Sequence, residues 1–383
     1  MMKSYKIQYF LTSIWFATMS FICFAYGTGD NYKAAPFFIF ISIVILCIYG
    51  RRLNNVTRPF KYLALLYVVS SVGLLINTSF SINAYSQFLS YSLTGCITVI
   101  TSYCLVKSNP KLLKLFAYML LVFFVVGISR FFREQSLLNS FYAITSFYFL
   151  LFPLPLILLG FNKKTFHIAL LLITIVFCVL SLKRSAAISS VFLLLMYLLI
   201  VAKSGVKQLL YVAVLLIVIG VFVSSYFQDS NFLEYVSRLF TRLENLEEDK
   251  GSGRGDVIEA FFMHDISDLF SFPDFFIGRG YEAYHRKYQT LAAAHNDFIE
   301  IIFSTGILGL YCLCRFFSLI FRRSIYLLKN NSNIAMSYVS IAFLFFFYAF
   351  ASSNFHFYNL SLPLFLSIGV LEGYMFSNNR LDS

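Results

Sequence analysis

The sequence predicts an all-α, polytopic membrane protein with about twelve transmembrane helices and one large, partly helical loop outside the membrane. Three observations carry this. First, of 383 residues 59% are hydrophobic and 13% charged, against about 45–50% and about 25% in a soluble domain. Such a chain cannot hide all its apolar surface in itself, so lipid must be part of its solvent. Second, the apolar residues come in runs long enough to span a hydrocarbon core, which takes about 20 helical residues. Third, the polar remainder is uneven: residues 227–294 hold 12 of the 18 acidic residues and 7 of the 30 basic ones.

The expected spans lie near 8–26, 35–50, 62–78, 85–106, 112–129, 139–160, 165–181, 186–202, 207–225, 295–317, 334–352 and 358–377. All are expected to be helical, because backbone polar groups in lipid must satisfy one another. The chain thus divides into residues 1–225 with helices one to nine, a loop at 226–294, and residues 295–383 with helices ten to twelve. Lys3 and Lys6 precede a first apolar run too long for a signal peptide, so that run reads as an uncleaved helix.

Orientation follows from lysine and arginine. With the N-terminus in the cytoplasm, 18 basic residues fall inside and only Lys33, Arg130, Arg133, Lys183 and Arg184 in short outer turns. The positive-inside rule then places both termini in the cytoplasm and the long loop outside. The net charge of +12 is spread as short clusters between apolar runs. That is a topology signal and argues against a nucleic-acid face. The seven cysteines all lie in apolar runs without a CxxC, which gives neither a disulfide framework nor a metal signature.

Within the loop, Phe232, Val236, Leu239, Leu243 and Leu246 recur at helical spacing. A glycine-rich turn, Gly251-Ser252-Gly253-Arg254-Gly255, precedes a second helical stretch, and Gly278-Arg279-Gly280-Tyr281 makes a further turn. The loop therefore reads as folded, with helices on the outer membrane surface.

The outward basic residues are the informative ones. Arg130 and Arg133 follow the fifth span, Arg184 sits in a tight turn between spans seven and eight, and Arg254 and Arg279 lie among loop glycines. A guanidinium fork suits phosphate oxygens through paired, charge-assisted hydrogen bonds. A helix start behind Arg254 would add free N–H groups and a positive dipole end. The competing reading of each arginine is a headgroup anchor that meets lipid phosphate without specificity.

The sharpest local feature begins at His295-Asn296, where the loop enters the tenth span. An imidazole there can accept a proton near neutral pH. Glu300, one helical turn deeper, is an acid inside a span, which points at a cavity or a partner. Asp297 suits a helix start. Gly306 and Gly309 lie on one helix face and permit close packing. Both His295 and Glu300 also admit a structural reading, as a boundary hydrogen-bonding group and as the partner of an Arg or His. No HExxH, GxxxxGK[ST], GxSxG or DxD-type cluster occurs in the loop, so neither a nucleotide nor a metal cofactor is expected.

His295-Asn296, nine residues, then Gly306-Ile-Leu-Gly309 resembles the signature of the O-antigen polymerase and O-antigen ligase superfamily. Lys183-Arg184-Ser185, Ser252-Gly253-Arg254 and Gly278-Arg279-Gly280-Tyr281 precede it in the family's order. The strong similarity covers roughly 180–312, and elsewhere the match is one of architecture. The resemblance implies a multi-pass protein of the bacterial inner membrane with a periplasmic loop and active site. It implies a cofactor-free glycosyltransferase whose donor is a glycan on undecaprenyl pyrophosphate. The acceptor is the hydroxyl of a second lipid-linked repeat unit in a polymerase, or lipid A–core in a ligase. A chain-length regulator protein is a further expected partner, membrane lipids are partners throughout, and nucleic acid is not one.

On that resemblance, Arg184, Arg254 and His295 are the expected catalytic residues. Arg279, Arg130, Arg133, Asn296, Glu300 and Tyr281 are the expected substrate-binding ones. The look of His-Asn-Asp-Phe-Ile-Glu-Ile and the short chain favour the polymerase. A secondary transporter is the competing class, but the seven prolines do not form the matched helix breaks expected of one.

Overall fold

A computed structural model describes residues 2–25, 31–50, 58–76, 93–137, 145–181, 183–201, 259, 261, 263, 274–280, 296–330, 334–351 and 358–377. Every regular element among them is helical. The helices are α1 (Met2–Phe24), α2 (Asn31–Tyr49), α3 (Arg58–Ile76), α4 (Thr94–Ser108), α5 (Leu112–Leu137), α6 (Tyr148–Leu151), α7 (Leu154–Gly160), α8 (Lys164–Leu180), α9 (Arg184–Ile200), α10 (Asp274–Ile277), α11 (Asp297–Lys329), α12 (Ala335–Ala351) and α13 (Tyr358–Ser377). Among the described residues, five stretches are long and apolar enough to cross a membrane: Tyr5–Phe24, Arg58–Ile76, Leu112–Glu134, Asp297–Lys329 and Leu360–Ser377. Shorter apolar helices cover Ala34–Tyr49, Tyr148–Gly160, Lys164–Leu180, Arg184–Ile200 and Ala335–Ala351. The expected span at 207–225, most of the loop at 226–294 and both proposed domain boundaries lie outside the described residues.

The helices pack as lipid demands, with small residues at the seams and hydroxyls bonded inward. A Cβ at Gly369 of α13 would lie 2.5 Å from the Val99 carbonyl of α4, and one at Gly373 2.6 Å from that of Tyr103. These glycines let the two backbones touch. On α4, Thr98 Oγ1 donates to the Thr94 carbonyl over 2.6 Å and Ser102 Oγ to that of Thr98 over 2.7 Å. Away from water a side-chain hydroxyl finds its partner on its own helix. Trp15 joins three helices: Nε1 donates to Ser42 Oγ over 2.7 Å, and the ring meets Phe38 and Phe116 at 5.5 and 6.3 Å. Elsewhere large apolar side chains stay exposed, Phe10 at 65% and Phe40 at 62%, as expected of a surface whose solvent is hydrocarbon.

Two expected spans differ in detail. The one at 139–160 is divided, in its described part, into α6 and α7 around Pro153, which has no N–H to continue a helix. The tenth, expected to end at 317, runs on to Lys329. Its continuation carries a clamp: Arg323 pairs with the fully buried Glu372 of α13, and the Tyr338 hydroxyl of α12 donates to Glu372 Oε1 over 2.6 Å. One carboxylate, satisfied on both oxygens, thus ties together the last three helices.

Candidate functional site

The start of α11 is fixed by Asn296. Its side-chain oxygen accepts from the N–H groups of Phe298 and Ile299 at 2.9 and 3.3 Å, while its backbone stays extended at φ −147°. This is an N-cap, which satisfies donors that the first helical turn leaves unpaired. Asp297 and Glu300 fill the first turn, both buried, and their negative charge suits the positive end of the helix dipole. His295 therefore directly precedes the cap in the chain, although it lies outside the described residues.

Nine residues on, α11 breaks. Gly306 has φ 63° and ψ −161°, a conformation open to glycine and strained for other residues. A Cβ there would lie 2.5 Å from the Phe276 carbonyl carbon. The carbonyls of Phe303 and Ser304, which a continuous helix would pair with Ile307 and Leu308, instead accept from the loop after α10. Arg279 N–H donates to Phe303 and Gly280 N–H to Ser304, each over 2.9 Å. Gly278, at φ 67°, permits this docking, since a Cβ there would overlap the backbone of Ser304 and Thr305. Gly73 of α3 closes the third side, where a Cβ would lie 2.7 Å from the Ile277 carbonyl. The glycine–arginine turn and the glycines of α11, read separately in the sequence, are thus one backbone-to-backbone unit. Gly306 serves both as a break and, as its spacing suggested, as a position of close packing.

The Arg279 side chain belongs to this unit. Nε donates to Asp274 over 2.8 Å, the guanidinium lies 5.4 Å from the Phe303 ring centre, and the side chain keeps 29% exposure. It is partnered and still reachable.

Arg184 is the first residue of α9, two residues before the expected helix start, and no side chain caps that end. An arginine thus opens a helix whose N-terminal N–H groups no side chain caps, the helix-start arrangement that the sequence had suggested at Arg254. The helix α9 runs antiparallel to α12: Phe192 stacks on Phe343 at 3.6 Å, and Tyr197 and Met336 line a common cavity further along. Hence Arg184 lies toward the Tyr348 end of α12. The same end holds the start of α11, where Phe298 meets Phe346 at 6.1 Å. Around it, the hydroxyls of Ser146, Ser189 and Tyr348 are buried without a hydrogen-bond partner among the described residues.

Arg130 is held elsewhere at this end. It donates to the Phe24 carbonyl at the end of α1 over 2.6 Å, pairs with Glu134 over 2.8 Å, and lies 5.1 Å from the Phe149 ring centre. Glu134 in turn accepts from Ser146 N–H over 3.2 Å. These contacts join α1, α5 and the entry to α6. Arg133 is exposed on the same helix end. Arg254 and Tyr281 lie outside the described residues.

So Asn296 and Glu300 share the first turn of α11, Arg279 is docked further along it at Phe303, and α12 sets Arg184 at the end of the bundle where α11 starts. The cap gives form to the local turn that the sequence expected Asn296 to fix. Sequence reasoning missed Phe303 as the platform of Arg279. A cavity of about 680 Å³ lies at the opposite end, near His167 and Lys164. There His167 is satisfied by the Phe161 carbonyl at 2.7 Å and Tyr197 at 3.2 Å, a structural role.

Residues 169–314 match a family model described as O-antigen ligase. Comparison with curated proteins and with solved structures gives no match. The matched segment begins in α8 and ends in α11, so it contains Lys183-Arg184, the docked Gly278-Arg279-Gly280 turn, Asn296 and the Gly306 break. This segment is therefore similar to the corresponding region of the O-antigen ligase family.

Proposed function

We propose that this protein is an inner-membrane O-antigen polymerase, which moves a glycan from undecaprenyl pyrophosphate to the hydroxyl of another lipid-linked repeat unit at the periplasmic face. The observation that carries the reading is the joint of α11. Its capped start follows His295 directly, and the turn bearing Arg279 is bonded to the same nine-residue segment.

In this reading the sugar's anomeric carbon is displaced, with inversion. The acceptor oxygen bonds to that carbon as the carbon–oxygen bond to pyrophosphate breaks, and the electron pair leaves on the pyrophosphate. Arg184 and Arg254 stabilise that charge, an effect of about 3 kcal/mol per well-placed donor, and Arg279 adds to it. His295 accepts the acceptor's proton, worth about 10²–10⁴-fold. Asn296, the next residue, caps α11. Without an acidic metal-ligand motif in the loop sequence, the transfer is expected to proceed without a divalent metal.

The test is genetic and biochemical. Arg254→Ala and His295→Ala should each abolish glycan chains while the protein remains in the membrane at normal level. Near-normal chains from both would refute the site. The glycan also decides the acceptor. Loss of a polymerase leaves one repeat on the lipid A–core, whereas loss of a ligase leaves bare core and accumulating lipid-linked polymer. Purified protein acting on lipid-linked glycan without an ion gradient would exclude a transporter.

A further inference from the structure

Arg315 is an unusual residue to find where it is. It lies nine residues beyond the Gly306 break of α11, away from the end that holds Asn296. The expected tenth span ends two residues later, at 317. The helices α3 and α11 run antiparallel. Gly309 sits beside Leu66, and Tyr311 meets Tyr62 edge to face at 6.1 Å. The Arg315 guanidinium lies 5.5 Å from the Tyr62 ring centre with both phenols beside it. Among the described residues its Nε is covered and has no hydrogen-bond partner. The guanidinium hydrogen-bonds Tyr62 but meets no carboxylate among the described residues, and a cation at this boundary favours a phosphate.

The surroundings narrow its kind. Toward the middle of the bundle the seam is flanked by exposed apolar side chains, Leu65 at 46% and Leu308 at 44%. Beyond Tyr62, in the other direction, α3 presents exposed Lys61 and Arg58, and α11 presents exposed Arg322 two turns after Arg315. Apolar surface on one side and cations with phenol donors on the other is the profile of a lipid whose chains lie along α3 and α11 and whose phosphate meets Arg315.

We propose that the α3–α11 seam binds the headgroup phosphate of an anionic phospholipid, drawn from the leaflet at the N-terminal end of α3, opposite the end that holds Asn296. The phosphate takes the Arg315 fork and a Tyr62 or Tyr311 hydroxyl, while Arg58, Lys61 and Arg322 favour net negative charge. The site is independent of the transfer reaction.

The experiment is native mass spectrometry of the purified full chain in detergent, offered phosphatidylglycerol, phosphatidylcholine, a polyprenyl diphosphate or inorganic phosphate. Wild type should retain phosphatidylglycerol over phosphatidylcholine, and Arg315→Gln should lower that retention about fivefold, the weight of one basic group at an anionic surface. Equal retention by Arg315→Gln, or no preference between the two phospholipids, would overturn the proposal. Retention of the polyprenyl diphosphate that falls with Arg315→Gln more than that of phosphatidylglycerol does, or full displacement of phosphatidylglycerol by millimolar inorganic phosphate, would also overturn it. If Arg315→Gln does not accumulate, the exposed pair Arg58→Gln and Lys61→Gln carries the test: loss of the preference supports the site and an unchanged preference sinks it.

Discussion

Arg279 and Phe303 are joined twice: the backbone N–H of one donates to the carbonyl of the other over 2.9 Å, and the guanidinium lies 5.4 Å from the phenyl ring centre. A loop residue thereby completes the hydrogen bonding of a membrane helix and has its own charge positioned in return. Disturbing either partner should be felt at both.

Gly306→Ala and Gly278→Ala should each destabilise the protein. Backbone strain at a left-handed position costs about 1–3 kcal/mol, and at Gly278 the added Cβ would overlap the Ser304 and Thr305 backbone. Thermal unfolding in detergent should show a lowered midpoint for both, with a parallel loss of glycan chains. Unchanged midpoints would mean that the loop does not depend on these two conformations.

Asn296→Asp and Asn296→Ala should part company. Aspartate keeps the capping oxygen, and alanine forfeits it at about 0.5–2 kcal/mol. The Asp variant should match wild-type stability and retain glycan assembly, and the Ala variant should lose both. A stable Asp variant devoid of activity would show that the amide N–H₂ touches substrate.

Arg130→Gln and Arg184→Gln should differ in kind. Arg130 holds the Phe24 carbonyl and Glu134, so its loss should lower the unfolding midpoint. Arg184 opens α9 and is an expected catalytic residue, so its loss should remove the product at a midpoint lowered less than that of Arg130→Gln. Comparing detergent melting curves with glycan profiles reads both at once.

Glu372→Gln should strand Arg323. Removing one partner of a buried ion pair costs about 3–5 kcal/mol, whereas replacing both by apolar residues is often neutral. Arg323→Met combined with Glu372→Met should therefore recover membrane accumulation that Glu372→Gln loses, which quantitative immunoblotting of membranes can follow.

How much of this was legible depended on the distance over which each residue finds its partner. Apolar runs and their basic ends were legible because hydrocarbon excludes charge locally. Asp297 as a helix-start residue was equally local. The break at Gly306 was not, because the N–H groups that make it tolerable come from Arg279 and Gly280, more than twenty residues earlier. The commitment of Arg130 was hidden for the same reason, its acceptor lying on α1. The clamp had a visible half: Glu372 is an acid in an apolar run, the signal already used for Glu300. Its partner Arg323 was obscured because the tenth span was expected to end at 317.

The bare carbonyls of Phe303 and Ser304 bear on the order in which the chain is built. Their covering groups precede them, so the ribosome has already made the turn at 278–280 when α11 emerges. Nascent α11 can therefore enter the bilayer with its cover at hand, and no stretch made later is needed to seal it. Were the two segments exchanged in sequence, the helix would wait in lipid with two unsatisfied acceptors, each costing several kcal/mol.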